Sequence, residues 1–167
     1  MASGGAFISR TSARRLARDV KDIMTSPLET EGIYYVHDQE DMLKGYAMII
    51  GPEDTVYEDG FYLFTFDFKP DYPAQPPVVK YWTNDGHTRF NPNLYKGGKV
   101  CVSILNTWKG EQWTGCQTIR SVLLALCTLL NDNPLLNEPG VSPAHPDVVS
   151  YRRIIEFKNV QWAMIKQ

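Results

Sequence analysis

Phe61-Tyr62-Leu63-Phe64-Thr65-Phe66-Asp67-Phe68, followed closely by Pro70, Pro73, Pro76 and Pro77, decides the fold class. A run dense in aromatics and free of glycine and proline reads as a strand, and aromatics on both faces predict that it is covered on both sides or partly so. The prolines forbid helix in the next stretch and form a stiff ramp into residues 78–82, a fourth strand. Upstream, residues 32–37 and 45–51 are two further extended segments, separated by residues 38–44, with residues 52–60 leading into the aromatic strand. Residues 11–24 place Leu16, Val20 and Ile23 at helical spacing. Ile119, Val122, Leu123, Leu126 and Leu130 do the same, with Thr118 or Gln117 able to open that helix and Asn131-Asp132-Asn133-Pro134 to stop it. Residues 148–167, with Tyr151, Ile154, Ile155, Phe157, Val160, Trp162 and Ile165, predict one further helix. The expected fold is therefore α+β. It has an N-terminal helix, a four-stranded antiparallel meander, a long central helix and a C-terminal helix, with the sheet burying one face under the helices.

The chemistry is expected just after the fourth strand. In Phe90-Asn91-Pro92-Asn93 the proline disfavours helix at Asn91, and Tyr95-Lys96-Gly97-Gly98 supplies a turn. Chain folding back there brings the Asn93 carboxamide towards Cys101, within Gly98-Lys99-Val100-Cys101-Val102-Ser103-Ile104-Leu105. An amide donor beside a thiol suits stabilisation of the oxyanion that forms when a thioester is attacked, so acyl transfer is the reaction class. Cys116 competes on chemical grounds, because the amide donors of the helix start beside it can lower a thiol pKa. Cys127 falls on the apolar stripe of the long helix and reads as a small buried hydrophobe.

With these segments in place the chain resembles the ubiquitin-conjugating enzymes. The resemblance is carried by Gly51-Pro52 with Tyr57-Glu58-Asp59-Gly60-Phe61, by Asp71-Tyr72-Pro73 with Pro76-Pro77, by Asn91-Pro92-Asn93 with Cys101, and by Trp113 leading into the helix at residues 119–130. Together they run from Arg14 to Pro139 in the family's order. The resemblance implies that Cys101 accepts ubiquitin, or a ubiquitin-like modifier, as a thioester from an activating enzyme and passes it to a substrate lysine or a ligase cysteine. It implies that Asn93 stabilises the oxyanion or orders the loop, and that Pro92 is the rigid turn residue. It assigns activating-enzyme docking to the first helix, where Arg14, Arg15, Arg18 and Lys21 form a basic face that otherwise reads as solvated surface. Ligase docking falls to two loops, Pro73 with Ala74 and Thr114 with Gly115 and Cys116. Ala74 is small where the family often has a bulky apolar residue.

Three departures stand out. Asn91 occupies a place where the family commonly has His in a structural role, and Asn can also satisfy main-chain groups. Where many members have an Asp guiding the incoming lysine, this chain reads Asn133-Pro134-Leu135-Leu136-Asn137-Glu138-Pro139, so either Glu138 or Asn137 takes that place. A carboxylate is the better proton acceptor, and a helix-capping or turn role for both carries equal weight. Residues 106–112, with Trp108, Lys109, Gly110 and Glu111, enlarge the loop after the cysteine. With the Asn-Glu-Pro-Gly segment, this resembles a minority branch of the family.

Composition sets the outer bounds. The 167 residues, 43% hydrophobic and 22% charged with a formal net charge of −2, suit a single domain over residues 11–167 behind a flexible stretch at residues 1–10. No apolar run approaches the ~20 residues needed to cross a bilayer, and the first residues do not read as a secretory signal. Near-neutral charge gives no support to nucleic-acid binding. Three cysteines without framework spacing suggest free thiols in the cytoplasm or nucleus. A monomer is expected, with no membrane association, no bound metal and no cofactor, ATP being consumed upstream by the activating enzyme. A non-catalytic ubiquitin-binding variant of the fold would normally lack the cysteine. A cysteine hydrolase would need a histidine partner, and His37, His87 and His145 are isolated in sequence.

Overall fold

The computed structural model describes residues 8–166. The expected flexible stretch at residues 1–10 lies outside these for residues 1–7. At its other end it gives way to helix α1, Arg10–Thr25, which the Ser9 hydroxyl caps by accepting from the Ser12 N–H at 3.1 Å. Four strands follow, β1 Ile33–His37, β2 Lys44–Ile50, β3 Phe61–Asp67 and β4 Val78–Tyr81, each antiparallel to the next in the order β1-β2-β3-β4. Helix α2, Ile119–Leu129, and helix α3, Asp147–Lys158, complete the α+β architecture, the latter continuing as a wider helical turn over Asn159–Met164. Among the described residues no helix is long and apolar enough to cross a membrane.

The pleat explains what the aromatic strand does. Tyr62, Phe64, Phe66 and, just beyond the strand, Phe68 are buried, whereas Phe61 and Leu63 remain exposed. Of the two expectations for β3, full or partial cover, the structure shows the partial one: its period of two sends its four most buried aromatics inward, and the outer face stays open along with Tyr34, Val36, Tyr46, Val78 and Trp82. Inside, the strand residues meet Ile119, Val122, Leu123 and Leu126 of α2 in one continuous core. Burying each such side chain contributes roughly 1.5–3 kcal/mol, so truncating Leu123 to Ala costs ~2–5 kcal/mol. Thr118 opens α2 with a reciprocal box, its hydroxyl accepting from the Ser121 N–H and its own N–H donating to the Ser121 hydroxyl at 2.8 Å. Cys127 packs against this core half-buried, and that burial raises its thiol pKa.

Two polar ties set where the active-site segment lies. The β2–β3 connection closes with the Gly51 N–H donating to the Gly60 carbonyl at 2.8 Å, and a Cβ at Gly51 would fall 1.6 Å from the Tyr57 carbonyl oxygen, so only glycine fits. Asn159 accepts from the Tyr62 hydroxyl and donates to the Glu58 carbonyl at 2.7 Å, fastening the end of α3 beneath that connection. Lys158 adds an ion pair to Asp85 at 2.9 Å. Burial opposes ionisation of Asp85, but the Thr88 N–H, Lys158, the Thr88 hydroxyl and the His87 N–H outweigh it and hold its pKa well below the usual carboxylate range.

Candidate active site

The segment from Phe90 to Cys101 folds as a small hairpin. The Leu94 N–H donates to the Asn91 carbonyl at 2.9 Å, the Tyr95 N–H to Lys99 at 2.9 Å, the Gly98 N–H to Tyr95 at 2.8 Å and the Cys101 N–H to Asn93 at 2.9 Å. Gly98 turns the chain at φ +86°, a left-handed conformation that favours glycine. Asn93 thus stands opposite Cys101, as the turn residues predict. The carboxamide, however, donates to the Cys101 carbonyl oxygen at 2.6 Å, and its own oxygen is buried without a protein partner. Cys101 itself is buried, only 2% exposed.

Asn91 anchors the hairpin from below. It is fully buried; its Nδ2 donates to the Tyr57 hydroxyl at 3.0 Å and the Leu129 carbonyl at 2.8 Å, while its Oδ1 accepts from the Asn93 N–H at 2.9 Å and Asn137 Nδ2 at 3.3 Å. Tyr57 in turn donates to the Phe90 carbonyl at 2.7 Å. Asn at this place satisfies main-chain groups, as the sequence suggests.

The two candidates for guiding the lysine separate here. Asn137 is committed: its amide donates to Asn91 and to the Leu129 carbonyl at 3.3 Å, and its oxygen accepts from Asn131 Nδ2 at 3.0 Å. Glu138 is partly exposed and paired with Arg89 at 3.6 Å. Arg89 lies with its guanidinium carbon 4.1 Å from the centre of the Tyr95 ring and donates to the Pro92 carbonyl, which links Glu138 to the hairpin. Sequence reading missed Arg89; a cation directly before Phe90-Asn91-Pro92-Asn93 was the available signal.

After the cysteine, the Thr107 hydroxyl accepts from the Val102 N–H at 2.9 Å, and Asn106, at φ +56°, accepts from the Trp113 N–H at 2.8 Å. The main-chain N–H groups of both Cys101 and Val102 are therefore occupied. The second amide hydrogen of Asn93 has no protein acceptor among the described residues and can donate to an oxyanion forming at Cys101. Residues 106–112 project outward with Trp108 38% exposed.

Trp113 joins the two loops expected to meet ligases, its indole N–H donating to the Pro73 carbonyl at 2.7 Å. Ala74, Thr114, Gly115 and Cys116 are all exposed beside it. Arg15 does not belong to a free basic face, which corrects that expectation. Its guanidinium pairs with buried Asp19 at 2.9 Å and donates to the Gly115 and Gln117 carbonyls, because Asp19, only 3% exposed, requires a counter-ion. Asp19 also accepts from the Tyr72 hydroxyl at 2.6 Å. Arg14, Arg18 and Lys21 are exposed. His37 bonds to the Tyr35 hydroxyl and the Met42 carbonyl, with burial lowering its pKa, and among the described residues no histidine is hydrogen-bonded to Cys101.

Residues 15–155 match the family described as ubiquitin-conjugating enzyme. The human protein named ubiquitin-conjugating enzyme E2 Z is 45% identical over 159 residues, covering 93% of this chain and 45% of the relative. The human dual E2 ubiquitin-conjugating enzyme/E3 ubiquitin-protein ligase BIRC6 is 40% identical over 173 residues, covering 95% of this chain and 4% of that protein. The chain belongs to the ubiquitin-conjugating enzyme family. It spans about half the length of the E2 Z relatives it matches, and far less of BIRC6.

Proposed function

We propose that this chain carries ubiquitin, or a ubiquitin-like modifier, as a thioester on Cys101 and transfers it to a substrate lysine or a ligase cysteine. The observation that carries the reading is the pairing of Asn93 with Cys101 across one hairpin, with the amides of Cys101 and Val102 already bonded. The Cys101 thiolate attacks the modifier's C-terminal carbonyl carbon; the new C–S bond forms as the activating enzyme's thiolate leaves. An amine then attacks the same carbon, the tetrahedral oxyanion accepts a hydrogen bond from the Asn93 amide, and collapse expels the Cys101 thiolate. The ammonium's proton goes to solvent or to Glu138, the partly exposed carboxylate on this side of the hairpin.

Activating enzyme docks through Arg14, Arg18 and Lys21, with Arg15 bracing the helix from within, and ligases dock on the loops that Trp113 holds together. Free thiols suit a reducing compartment, the cytoplasm or nucleus. We also place the chain in the branch with the enlarged loop, on the strength of Trp108 and the Asn137-Glu138-Pro139-Gly140 segment. The test is charging with ubiquitin and with other modifiers by each activating enzyme. Cys101→Ala is expected to abolish a reductant-sensitive adduct, Cys101→Ser to trap a more stable oxyester, and Cys116→Ala to charge normally. Loss of charging in Cys116→Ala alone, with the fold intact, overturns the assignment.

A further inference from the structure

A groove of about 510 Å³ is unused by the steps above. Its apolar lining includes Val79, Val100 and Leu105, and Lys69, Lys80 and Lys99 rise around it with no acidic residue in the lining. All three lysines are exposed, and none has a carboxylate within ion-pairing distance among the described residues. Lys96 stands exposed and likewise unpaired beside a second hollow that shares Lys80. Lys80 also borders a third hollow containing Asp67, yet the two do not form an ion pair. In a chain of net charge −2 this concentration of unneutralised cations over an apolar floor is a local feature, complementary to an acidic segment that also has aliphatic surface.

Position decides which partner. Lys99 and Val100 immediately precede Cys101, and Leu105, Asn106 and Thr107 follow it, so the groove flanks the thioester site on both sides of the cysteine in sequence. Val100, directly bonded to Cys101, is part of its wall, so an occupant lies next to the cysteine segment, a place suited to the chain around an acceptor lysine. The basic helix face and the exposed tips at Ala74 and Thr114 to Cys116, the surfaces assigned to activating enzyme and ligase, do not line it.

We propose that this groove binds an acidic stretch of the acceptor protein, so that lysines with Asp or Glu within a few residues are the preferred targets. The proposal rests on Cys101 being the thioester site. Lys80 and Lys99 select the flanking carboxylates, and the apolar floor takes the aliphatic parts of the same segment.

The test uses peptides with one lysine flanked by Glu, Gln or Arg as acceptors in single-turnover discharge of preformed Cys101 thioester. The Glu-flanked peptide is expected to react about tenfold faster than the Arg-flanked one at low salt, the gap closing towards 1 M salt as screening shortens. Lys80→Glu with Lys99→Glu is expected to invert the order and leave discharge to free lysine unchanged. Lys80→Gln with Lys99→Gln is expected to flatten it, which guards against misfolding of the reversed variant. Equal rates for the three peptides with wild-type protein, or an order that survives charge reversal, overturn the proposal. Titrating a fluorescein-labelled Glu-flanked peptide into uncharged protein reads the groove without chemistry. Binding that the double reversal abolishes supports the groove even if no modifier loads Cys101, a result that sinks the thioester reading alone. Equal binding by both proteins overturns the groove.

Discussion

Asn93 grips the Cys101 main chain twice: its side-chain Nδ2 donates to the Cys101 carbonyl oxygen at 2.6 Å, and its main-chain carbonyl accepts from the Cys101 N–H at 2.9 Å. One amide hydrogen fixes the hairpin, and the proposed mechanism uses the other. Asn93→Ala therefore has two separable effects. Transfer to lysine is expected to slow by about two to three orders of magnitude. Stability is expected to fall by only ~1 kcal/mol, the scale of one net hydrogen bond. Single-turnover discharge beside thermal melting checks this, and normal rates in a folded variant remove Asn93 from the mechanism.

Asn137 and Glu138 are expected to fail in different ways. Asn137→Ala leaves buried Asn91 short of a donor and the Leu129 carbonyl short of one of its amide donors, so it should lose ~1–3 kcal/mol and slow lysine and thiol acceptors equally. Glu138→Gln should melt near wild type and slow only lysine, with the defect shrinking as pH rises towards the lysine pKa of about 10.4. Discharge to free lysine and to a small thiol across pH is the measurement. A lysine-specific defect confined to Asn137→Ala transfers the guiding role to that residue.

On α1 the basic residues divide by burial. Arg15→Ala removes the close partner of the Asp19 carboxylate and leaves it the Tyr72 hydroxyl and the exposed Arg18 at 3.8 Å, and is expected to cost ~3 kcal/mol. Arg14→Ala, Arg18→Ala and Lys21→Ala should each stay within ~0.5 kcal/mol of wild type while the triple variant charges more slowly, increasingly so at low salt. Urea unfolding and charging rates separate the two groups. A marginal effect of Arg15→Ala on unfolding contradicts the buried-pair assignment.

Asp85 gives a pH signature. A carboxylate whose folded pKa is lowered contributes stability fully present above its unfolded value of about 3.9, and that contribution is lost as pH falls through the lower folded value. Asp85→Asn is thus expected to be ~1–3 kcal/mol less stable than wild type at pH 7. The gap should narrow below about pH 4. Urea titrations from pH 7 to pH 2 measure it, and a gap that persists unchanged at pH 2 rules out the ionised carboxylate as its source.

Strand order, both long helices and the opposition of Asn93 to Cys101 were legible in the sequence because each rests on local periodicity or on a turn that glycine and proline dictate. Residues 61–68 left full and partial cover both open, since aromatic content says what a strand can pack against and not whether a second layer exists to meet Phe61. Arg15 misled outright. Its sequence neighbours suggest solvent, whereas its partners are Asp19 one turn away and the Gly115 and Gln117 carbonyls, a hundred residues further along the chain. The division between Asn137 and Glu138 was similarly hidden, because it depends on which side chain the fold uses to close around Asn91.

Asn91 has both amide hydrogens and both oxygen lone pairs engaged, by partners from the β2–β3 connection, the end of α2, its own hairpin and the Asn137 turn. A neutral imidazole offers one donor and one acceptor, so it cannot replace all four contacts. Exchange at this position is therefore expected to be concerted. A lineage exchanging Asn for His here must also re-pair Tyr57, Asn137 or the Leu129 carbonyl, and related chains should show these sites changing as a group rather than one at a time.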